Sequence, residues 1–233
     1  MRSKEREAVP SKPDGDVAGD DDRVVKPSCT FSFVGLLDGP TGAGKSAAIE
    51  HIMRRHGASC VVGAKLTTRP RRPTDSDWEF QFVDGIPEHL REFRYSSVGW
   101  QYAIDVSEIE HTLESGRSYF TVCTDPTVIR LLRRRFPVIV VYVHRLLSPQ
   151  EVAVLLETRQ IKGPEETRLR STELEEALSR YAKNIGLYDF VVLNVGGVSN
   201  LYKQVDSILS ECVDRFADPG PLRVAQDSRG EKE

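Results

Sequence analysis

The sequence predicts an α/β protein in which helices flank a parallel β-sheet. Short apolar runs alternate with helical patterns along most of the chain, and this alternation is typical of strands joined by helical crossovers. The runs are continuously apolar, as expected of parallel strands that are buried on both faces. With 233 residues, of which 39% are apolar, the chain can bury one sizeable core.

The first half of the predicted fold consists of the strand Phe31–Leu37, the helix Lys45–Arg55 and the strand Cys60–Val62. Residues 64–105 then break the alternation, because they are rich in Arg, Asp, Ser and aromatic residues. They contain only two brief segments with a strand period, Glu79–Val83 and Trp100–Ile104. We interpret residues 64–105 as a small inserted lobe.

The second half returns to alternating elements, which are the strand Ser118–Cys123, the helix Thr127–Arg135, the strand Val138–Val143, the helices Pro149–Glu157 and Thr172–Ile185, the strand Phe190–Leu193 and the helix Ser199–Phe216. The run Val138–Val143 is a strong strand signal, since β-branched residues favour extended backbone. Together these elements predict one folded unit over residues 28–216.

Both ends of the chain predict tails. Residues 1–27 mix charged residues with Pro and Gly and show no helical or strand period, so we expect a disordered tail. Residues 217–233 contain Pro219, Gly220 and Pro221 before a polar end, and we expect a flexible tail there as well.

Charge, hydropathy and cysteine usage argue against several classes of function. A net charge of -3 gives no overall attraction for nucleic acid, and no apolar run reaches the roughly 18 residues of a membrane span. The four cysteines form no closely spaced pair, which is typical of a reducing compartment. We therefore predict a cytoplasmic protein without nucleic-acid or membrane partners. The sequence carries no signal for the oligomeric state.

An eight-residue motif between the first strand and the first helix carries the strongest functional signal. It matches the phosphate-binding pattern GxxxxGK[ST] in full and consists of Gly39, Pro40, Thr41, Gly42, Ala43, Gly44, Lys45 and Ser46. Glycines let backbone N–H groups approach a phosphate, and the following helix N-terminus adds positive partial charge. We expect Lys45 to contact the β- and γ-phosphates of ATP and Ser46 to ligate Mg²⁺. The competing interpretation is a glycine-rich turn that binds nothing.

Beyond this motif the sequence resembles the guanylate kinases. In that family the phosphate-binding loop is followed by TTRxPR, and this chain has Thr67-Thr68-Arg69-Pro70-Arg71-Arg72. The likeness covers most of residues 30–210 and includes the glycine-aromatic turn Gly99-Trp100-Gln101-Tyr102. It also includes Asn194, at the position of an asparagine beside adenine. The resemblance implies a P-loop NTPase core with an acceptor-binding lobe and an arginine-bearing lid.

The resemblance also implies that residues 64–105 bind the acceptor. Arg69 and Arg72 would bind the phosphate of the acceptor, because planar guanidinium groups bind a phosphate dianion bidentately. Tyr102 could contact the same phosphate through its hydroxyl. Asp75 stands at the position of a family glutamate that accepts hydrogen bonds from guanine. Taken alone, the two arginines fit a solvated basic loop equally well.

Three positions depart from the family pattern on the acceptor side. Lys65 stands in place of a serine that helps hold guanine, and Phe80 replaces a tyrosine that contacts the acceptor phosphate. Phe93 falls where a base-reading glutamate is expected, with Glu92 one residue away. The guanine-reading set is therefore incomplete, which leaves the acceptor open.

Asp125 and the segment at about residues 159–170 complete the predicted site. Asp125 follows a strand and either serves as a metal-side or acceptor-side carboxylate or caps the next helix. The segment resembles the family lid, whose arginines stabilise the transferred phosphoryl group while closure excludes water. The candidate arginines for this role are Arg159, Arg168 and Arg170, and the resemblance does not choose between Arg168 and Arg170. A solvated surface between two helices is the alternative.

Three functions remain open on these grounds. The first is ATP- and Mg²⁺-dependent phosphoryl transfer to a nucleoside monophosphate, with GMP as the first candidate. The second is transfer to another phosphorylated small molecule such as ribose 1,5-bisphosphate, whose kinases share a guanylate-kinase-like fold and lack the guanine reader. The third is a non-catalytic guanylate-kinase-like binding module, which the complete phosphate-binding motif disfavours.

Overall fold

A computed structural model describes residues 32–158 and 164–217 of the chain. The main sheet has five parallel strands in the spatial order Cys60–Val62 (β2), Ser118–Val122 (β7), Val34–Asp38 (β1), Val138–His144 (β8) and Phe190–Leu193 (β9). β1 lies at the centre and pairs with β7 on one side and β8 on the other. The predicted α/β fold with a parallel sheet is confirmed.

The α-helices within the described residues are α1 (Lys45–His56), α2 (Val106–Glu114), α3 (Pro126–Arg135), α4 (Pro149–Thr158), α5 (Pro164–Lys183) and α6 (Val198–Ala217). Core residues cover both faces of the main sheet. Ile52 of α1 and Leu201 of α6 belong to the apolar cluster that contains Val141. Ile129 of α3 belongs to the cluster that contains Val140. Adjacent residues of β8 thus point to opposite faces, as the pleat of a strand requires.

The segment between β2 and α2 folds as a second sheet in the order Phe80–Phe82 (β4), Lys65–Thr67 (β3), Trp100–Ala103 (β6) and Arg94–Ser97 (β5). β5 and β6 form a hairpin, and its turn has φ angles of 51° at Val98 and 79° at Gly99. Two successive positive φ angles are what a tight hairpin turn needs, and Gly99 adopts its angle without strain, whereas a positive φ is strained for the β-branched Val98.

The phosphate-binding motif follows the central strand of the main sheet. β1 ends at Asp38 and α1 begins at Lys45, so the motif turns the chain at the carboxyl edge of the sheet. Ligands of open parallel sheets bind at this edge, where neighbouring crossovers diverge. The position of the loop therefore matches that of a ligand site.

Two α-helices differ from the sequence-based expectation. α2 was not predicted, although Asp105 caps it by accepting a hydrogen bond from the Ser107 N–H at 2.9 Å, with Glu108 at the third helical position. α5 begins at Pro164 instead of Thr172, because proline suits the first helical position, where no N–H bond is needed. Residues 164–170 of the predicted lid segment are therefore helical.

Several predicted segments fall outside the described residues. These are residues 1–27 of the N-terminal tail, residues 159–163 of the lid segment, and all but the first residue of the tail at 217–233. Among the helices that the structure does describe, none has the length and apolarity needed to cross a membrane.

Candidate active site

A cavity of about 520 Å³ lies between the phosphate-binding loop and the second sheet. Leu155 and Thr158 of α4 and Arg170 and Glu173 of α5 contribute to its wall. Of the residues predicted from sequence, those that line the cavity are Thr41, Gly42, Gly44, Lys45, Ser46, Arg69, Arg72, Asp75, Phe80, Tyr102 and Arg170. The structure thus brings the predicted donor and acceptor residues around one space.

Glycine is required at specific points of the phosphate-binding loop. The φ angles are +135° at Gly39, +78° at Gly42 and +108° at Gly44. A Cβ atom at Gly39 would lie 2.0 Å from the carbonyl oxygen of Val143. Lys45 folds back over the loop, where its Nζ donates to the carbonyl oxygens of Gly39 and Pro40 at 2.6 and 2.8 Å. A bound phosphate would compete with these carbonyls for the ammonium group.

Hydrogen bonds of Asp38 and Asn194 fix the two ends of the loop. Asp38 accepts hydrogen bonds from the Gly39 N–H at 2.5 Å and from the Tyr188 hydroxyl at 2.7 Å. Burial raises the pKa of Tyr188 well above its usual value, so this hydroxyl keeps its proton and donates. At the other end, Asn194 Nδ2 donates to the carbonyl oxygen of Ala43 at 2.9 Å. Asn194 therefore holds the loop, and its contact with adenine stays a prediction.

Glu79 joins the loop to the second sheet. One carboxylate oxygen accepts a hydrogen bond from Ser46 Oγ at 3.0 Å, and the other lies 3.6 Å from Lys65 Nζ. Hydroxyl and carboxylate oxygens are the hard ligands that Mg²⁺ prefers. Ser46, predicted as the metal ligand, thus has a carboxylate beside it, and the pair fits a bound Mg²⁺ ion.

Lys65 is a buried cation on the acceptor side of the cavity. Its side chain is 7% exposed, and Nζ lies 4.7 Å from the ring centroid of Phe80. Burial lowers the pKa of Lys65 below its ordinary value, although the nearby Glu79 carboxylate acts in the opposite direction. An ammonium group with little water around it is a strong binding group for an anionic ligand.

Arg69 and Asp75, both predicted acceptor-binding residues, form a bidentate ion pair. Arg69 Nη1 donates to Asp75 Oδ2 at 2.9 Å, and Nη2 donates to Oδ1 at 2.8 Å. Burial favours a raised pKa for Asp75, but the hydrogen bonds from Arg69 and from the Arg72 N–H outweigh it, so the pKa lies below its usual value. Asp75 therefore orients Arg69, and a contact between Asp75 and guanine stays a prediction.

Aromatic rings pack beside the charged groups of Lys65 and Arg69. The Phe80 ring centroid lies 4.8 Å from the guanidinium carbon of Arg69, so Phe80 supports the arginine but has no hydroxyl for the acceptor phosphate. Tyr102 stacks on Tyr95 with ring centroids 5.5 Å apart, and both tyrosines line the cavity. The predicted contact between Tyr102 and the acceptor phosphate is not tested by this arrangement.

The position expected to read guanine is filled by a core residue. Phe93 is buried in the same apolar cluster as Tyr95 and Tyr102. Glu92, its neighbour, is exposed on the surface. At the three positions that depart from the family pattern, Lys65 is thus a buried cation, Phe80 is an apolar ring that packs against Arg69, and Phe93 is a core residue.

The two candidate arginines of α5 have different surroundings. Arg170 is 6% exposed, and its Nη1 donates to Thr41 Oγ1 at 2.8 Å. Arg168 is exposed and pairs with Glu165, with Nη2 and Oε1 2.8 Å apart. Arg170 is therefore the one that reaches the phosphate-binding loop. Arg159, the third candidate, lies outside the described residues.

Asp125 acts as a helix cap in this structure. Its Oδ1 accepts hydrogen bonds from the Thr127 N–H at 2.8 Å and the Val128 N–H at 3.0 Å, which satisfies the first turn of α3. The capping role was one of the two alternatives for this residue, and the metal-side role stays a prediction.

The residues that line the cavity but were not in the predicted set include Trp78, Glu79, Tyr95 and Glu173. Glu173 accepts a hydrogen bond from Thr41 Oγ1 at 2.9 Å and stands three residues after Arg170 on α5. Residues three apart on a helix lie on the same face. Once the start of α5 is known, the sequence therefore predicts that Glu173 lies beside Arg170. The contact between Glu79 and Ser46 left no such local signal.

Comparison with known proteins gives a consistent set of relatives. A family model described as guanylate kinase matches residues 34–212. A guanylate kinase of Mycoplasmoides gallisepticum is 23% identical over 182 residues, which cover 74% of this chain and 88% of the relative. The ribose 1,5-bisphosphate phosphokinase PhnN of Acidiphilium cryptum is 31% identical over 161 residues, covering 68% of this chain and 82% of the relative.

A solved structure supports the fold. The crystal structure of guanylate kinase from Anaplasma phagocytophilum matches with a TM-score of 0.51 over 78% of this chain and 86% of that chain. The two sequences are 17% identical, so this likeness concerns the fold alone.

Proposed function

Because the chain belongs to the guanylate kinase family, we propose that it transfers the γ-phosphoryl group of ATP to a nucleoside monophosphate, with GMP as the first acceptor. The observation that carries this proposal is the single cavity that joins Lys45 and Ser46 to Arg69, Arg72 and Tyr102. A donor and an acceptor phosphate bound at its two sides would face each other.

The predicted cytoplasmic location rests on composition and stays a prediction.

The residues present suit a reaction that depends on positioning and charge. Phosphoryl transfer needs no protein nucleophile, so the site must align the two phosphates and stabilise the charge on the transferring group. Lys45 and Arg170 would supply positive charge on the donor side, and Arg69 would hold the acceptor. Bound Mg²⁺, held by Ser46 with Glu79 beside it, would neutralise phosphate charge.

The direct test is GDP formation from ATP, Mg²⁺ and GMP. Lys45→Ala removes the ammonium group at the loop, while Lys203→Ala removes an exposed lysine on α6 and serves as the matched control. We expect GDP from the wild type and Lys203→Ala, and none from Lys45→Ala. If the wild type makes no more GDP than Lys45→Ala, GMP is not the acceptor.

Buried Lys65 favours a second candidate acceptor, ribose 1,5-bisphosphate. A desolvated cation beside Phe80 suits a second anionic group better than it suits a purine edge. The relative that is 31% identical is a ribose 1,5-bisphosphate phosphokinase, which supports including this compound. ADP production should therefore be measured with a panel of nucleoside and sugar phosphates.

Lys65→Ser separates the two acceptors. If GMP is the acceptor, the variant places a small hydroxyl where the family has a serine that helps hold guanine, and we expect the KM for GMP to fall. If ribose 1,5-bisphosphate is the acceptor, we expect the KM for this compound to rise, because the variant lacks the cation that binds the second phosphate. ATP binding by the wild type without turnover on any member of the panel would instead indicate a binding module.

A further inference from the structure

Two histidines and an aspartate meet where α1 packs on α6, away from the cavity. His51 Nε2 and His56 Nε2 each lie 2.9 Å from Asp206 Oδ1. The three potential ligand atoms all lie within 4.8 Å of one another. With a rise of about 1.5 Å per residue, His51 and His56 stand roughly 9 and 16 Å along α1 from Lys45. The cluster is therefore distinct from the proposed phosphoryl-transfer site.

The packing of α1 and α6 holds these groups in place. The His51 side chain is 9% exposed, and its ring stacks on Tyr202 with centroids 4.2 Å apart and planes 5° apart. His56 and Asp206 are partly exposed, at 28% and 34%. The cluster is thus buried at His51 and open to solvent at His56 and Asp206. An ion can therefore enter from the solvent side, and a water molecule can complete its ligands there.

We propose that His51, His56 and Asp206 form a binding site for a divalent transition-metal ion, with Zn²⁺ as the best match. Imidazole nitrogens and a carboxylate oxygen are ligands that zinc uses, and neighbouring ligand atoms of a tetrahedral zinc ion lie roughly 3.3 Å apart. The two nitrogen–oxygen separations of 2.9 Å need to widen by a few tenths of an ångström, and the two histidine nitrogens, which lie within 4.8 Å of each other, settle at the same spacing through small rotations of the rings. Each histidine would bind the ion through an unprotonated Nε2, with its ring proton on Nδ1.

Arg55 is compatible with this site. Its Nε lies 3.5 Å from Asp206 Oδ2, whereas the histidines contact Oδ1. A ligating carboxylate is commonly held by a partner on its second oxygen, which fixes its orientation. The Arg55 side chain is 65% exposed, so it can also turn away from an incoming cation.

Bound metal would link the C-terminal half of α1 to α6. An ion that binds the folded state alone stabilises it in proportion to the logarithm of the metal concentration over Kd. Because α1 carries the phosphate-binding loop at its other end, the site would secure the helix on which that loop is built. The role inferred here is structural, and it does not depend on which acceptor the enzyme uses.

The test uses the full chain, stripped of metal with a chelator and dialysed, without nucleotide. Co²⁺ alone is added as a spectroscopic substitute for Zn²⁺, and Zn²⁺ alone is titrated by calorimetry. We expect one saturable site with the visible absorption of cobalt bound by nitrogen and oxygen ligands. Intense sulfur-to-cobalt absorption would place the ion at cysteine and overturn the assignment.

His56→Gln and Asp206→Asn each remove one ligand from a partly exposed position, and His111→Gln changes an exposed histidine of α2 as the matched control. We expect at least about tenfold weaker binding in both ligand variants, the lower end of what is lost when groups around a metal are mutated. Zn²⁺ should raise the Tm of the wild type and His111→Gln only. No saturable binding to the wild type, or unchanged affinity in both ligand variants, would show a hydrogen-bonded cluster without a metal role.

Discussion

The guanidinium of Arg170 donates a 2.8 Å hydrogen bond to the hydroxyl of Thr41, which joins α5 to the phosphate-binding loop. Thr41 in turn donates to Glu173, one turn further along the same helix. Residues two apart on a helix point about 200° apart, so Arg168 faces away from this contact. The structure thus distinguishes two arginines that the sequence leaves equivalent.

Arg170→Ala is expected to lower kcat by about 10³-fold, within the range for an arginine that stabilises a transferring phosphoryl group. Arg168→Ala is the matched control, since it removes an exposed arginine of the same helix, and its rate should stay within about twofold of the wild type. Steady-state ADP formation measures both, with circular dichroism as the check of folding. Equal losses in the two variants would contradict a special role for Arg170.

Asp75→Asn is expected to destabilise the fold by about 3 kcal/mol at pH 7, because it leaves the buried guanidinium of Arg69 without its charged partner. The pKa of Asp75 is lowered in the folded protein from its ordinary value of 3.8. Its ionised form therefore stabilises the wild type above that value, and the stabilisation disappears as the pH falls through the lower folded-state pKa. Urea unfolding should show the gap between wild type and variant narrowing below about pH 4.

Asp77→Asn provides the control for this prediction. Asp77 also pairs with an arginine, Arg71, but its side chain is 82% exposed. Exposed pairs contribute at most about 1 kcal/mol, so little change is expected at any pH. A similar loss of stability in both variants would mean that burial of the Arg69–Asp75 pair is not what matters.

The parts of the site that could be predicted from the sequence are those whose residues are neighbours in the chain. The phosphate-binding loop has its glycines, Lys45 and Ser46 within eight residues, so its chemistry is visible in one motif. The contact between Arg170 and Thr41 spans 129 positions, and that between Ser46 and Glu79 spans 33. Such pairs depend on how the elements pack, which local patterns do not encode.

Glu79→Gln is expected to raise the Mg²⁺ concentration needed for half-maximal activity by about tenfold. Glutamine keeps the size of the side chain and can still accept a hydrogen bond from Ser46, but it removes the negative charge that attracts the cation. Activity would be measured at fixed ATP over a range of Mg²⁺ concentrations. Glu88→Gln removes an exposed carboxylate of the same lobe as control, and identical curves for both variants would exclude a role of Glu79 at the metal.

Gly44→Ala is expected to weaken ATP binding by at least about tenfold, because strain of about 1–3 kcal/mol would displace the loop backbone. Gly44 has a φ of +108°, which strains an L-residue, and a Cβ atom there would lie 2.6 Å from Asn194 Nδ2. Asn194 would have to move, and its hydrogen bond to the Ala43 carbonyl would be lost. The N–H groups that face the phosphates would then shift with the loop.

Gly85→Ala is the matched substitution, since nothing lies within 4 Å of a Cβ atom at Gly85. Calorimetric titration with ATP and Mg²⁺ should give wild-type affinity for Gly85→Ala and a reduced affinity for Gly44→Ala. Because the change at Gly44 is a single methyl group without charge, the loss would be due to displacement of the loop and of Asn194, and not to a change in charge. Equal affinities would mean that ATP is bound mainly by side chains such as Lys45, and that the loop tolerates displacement.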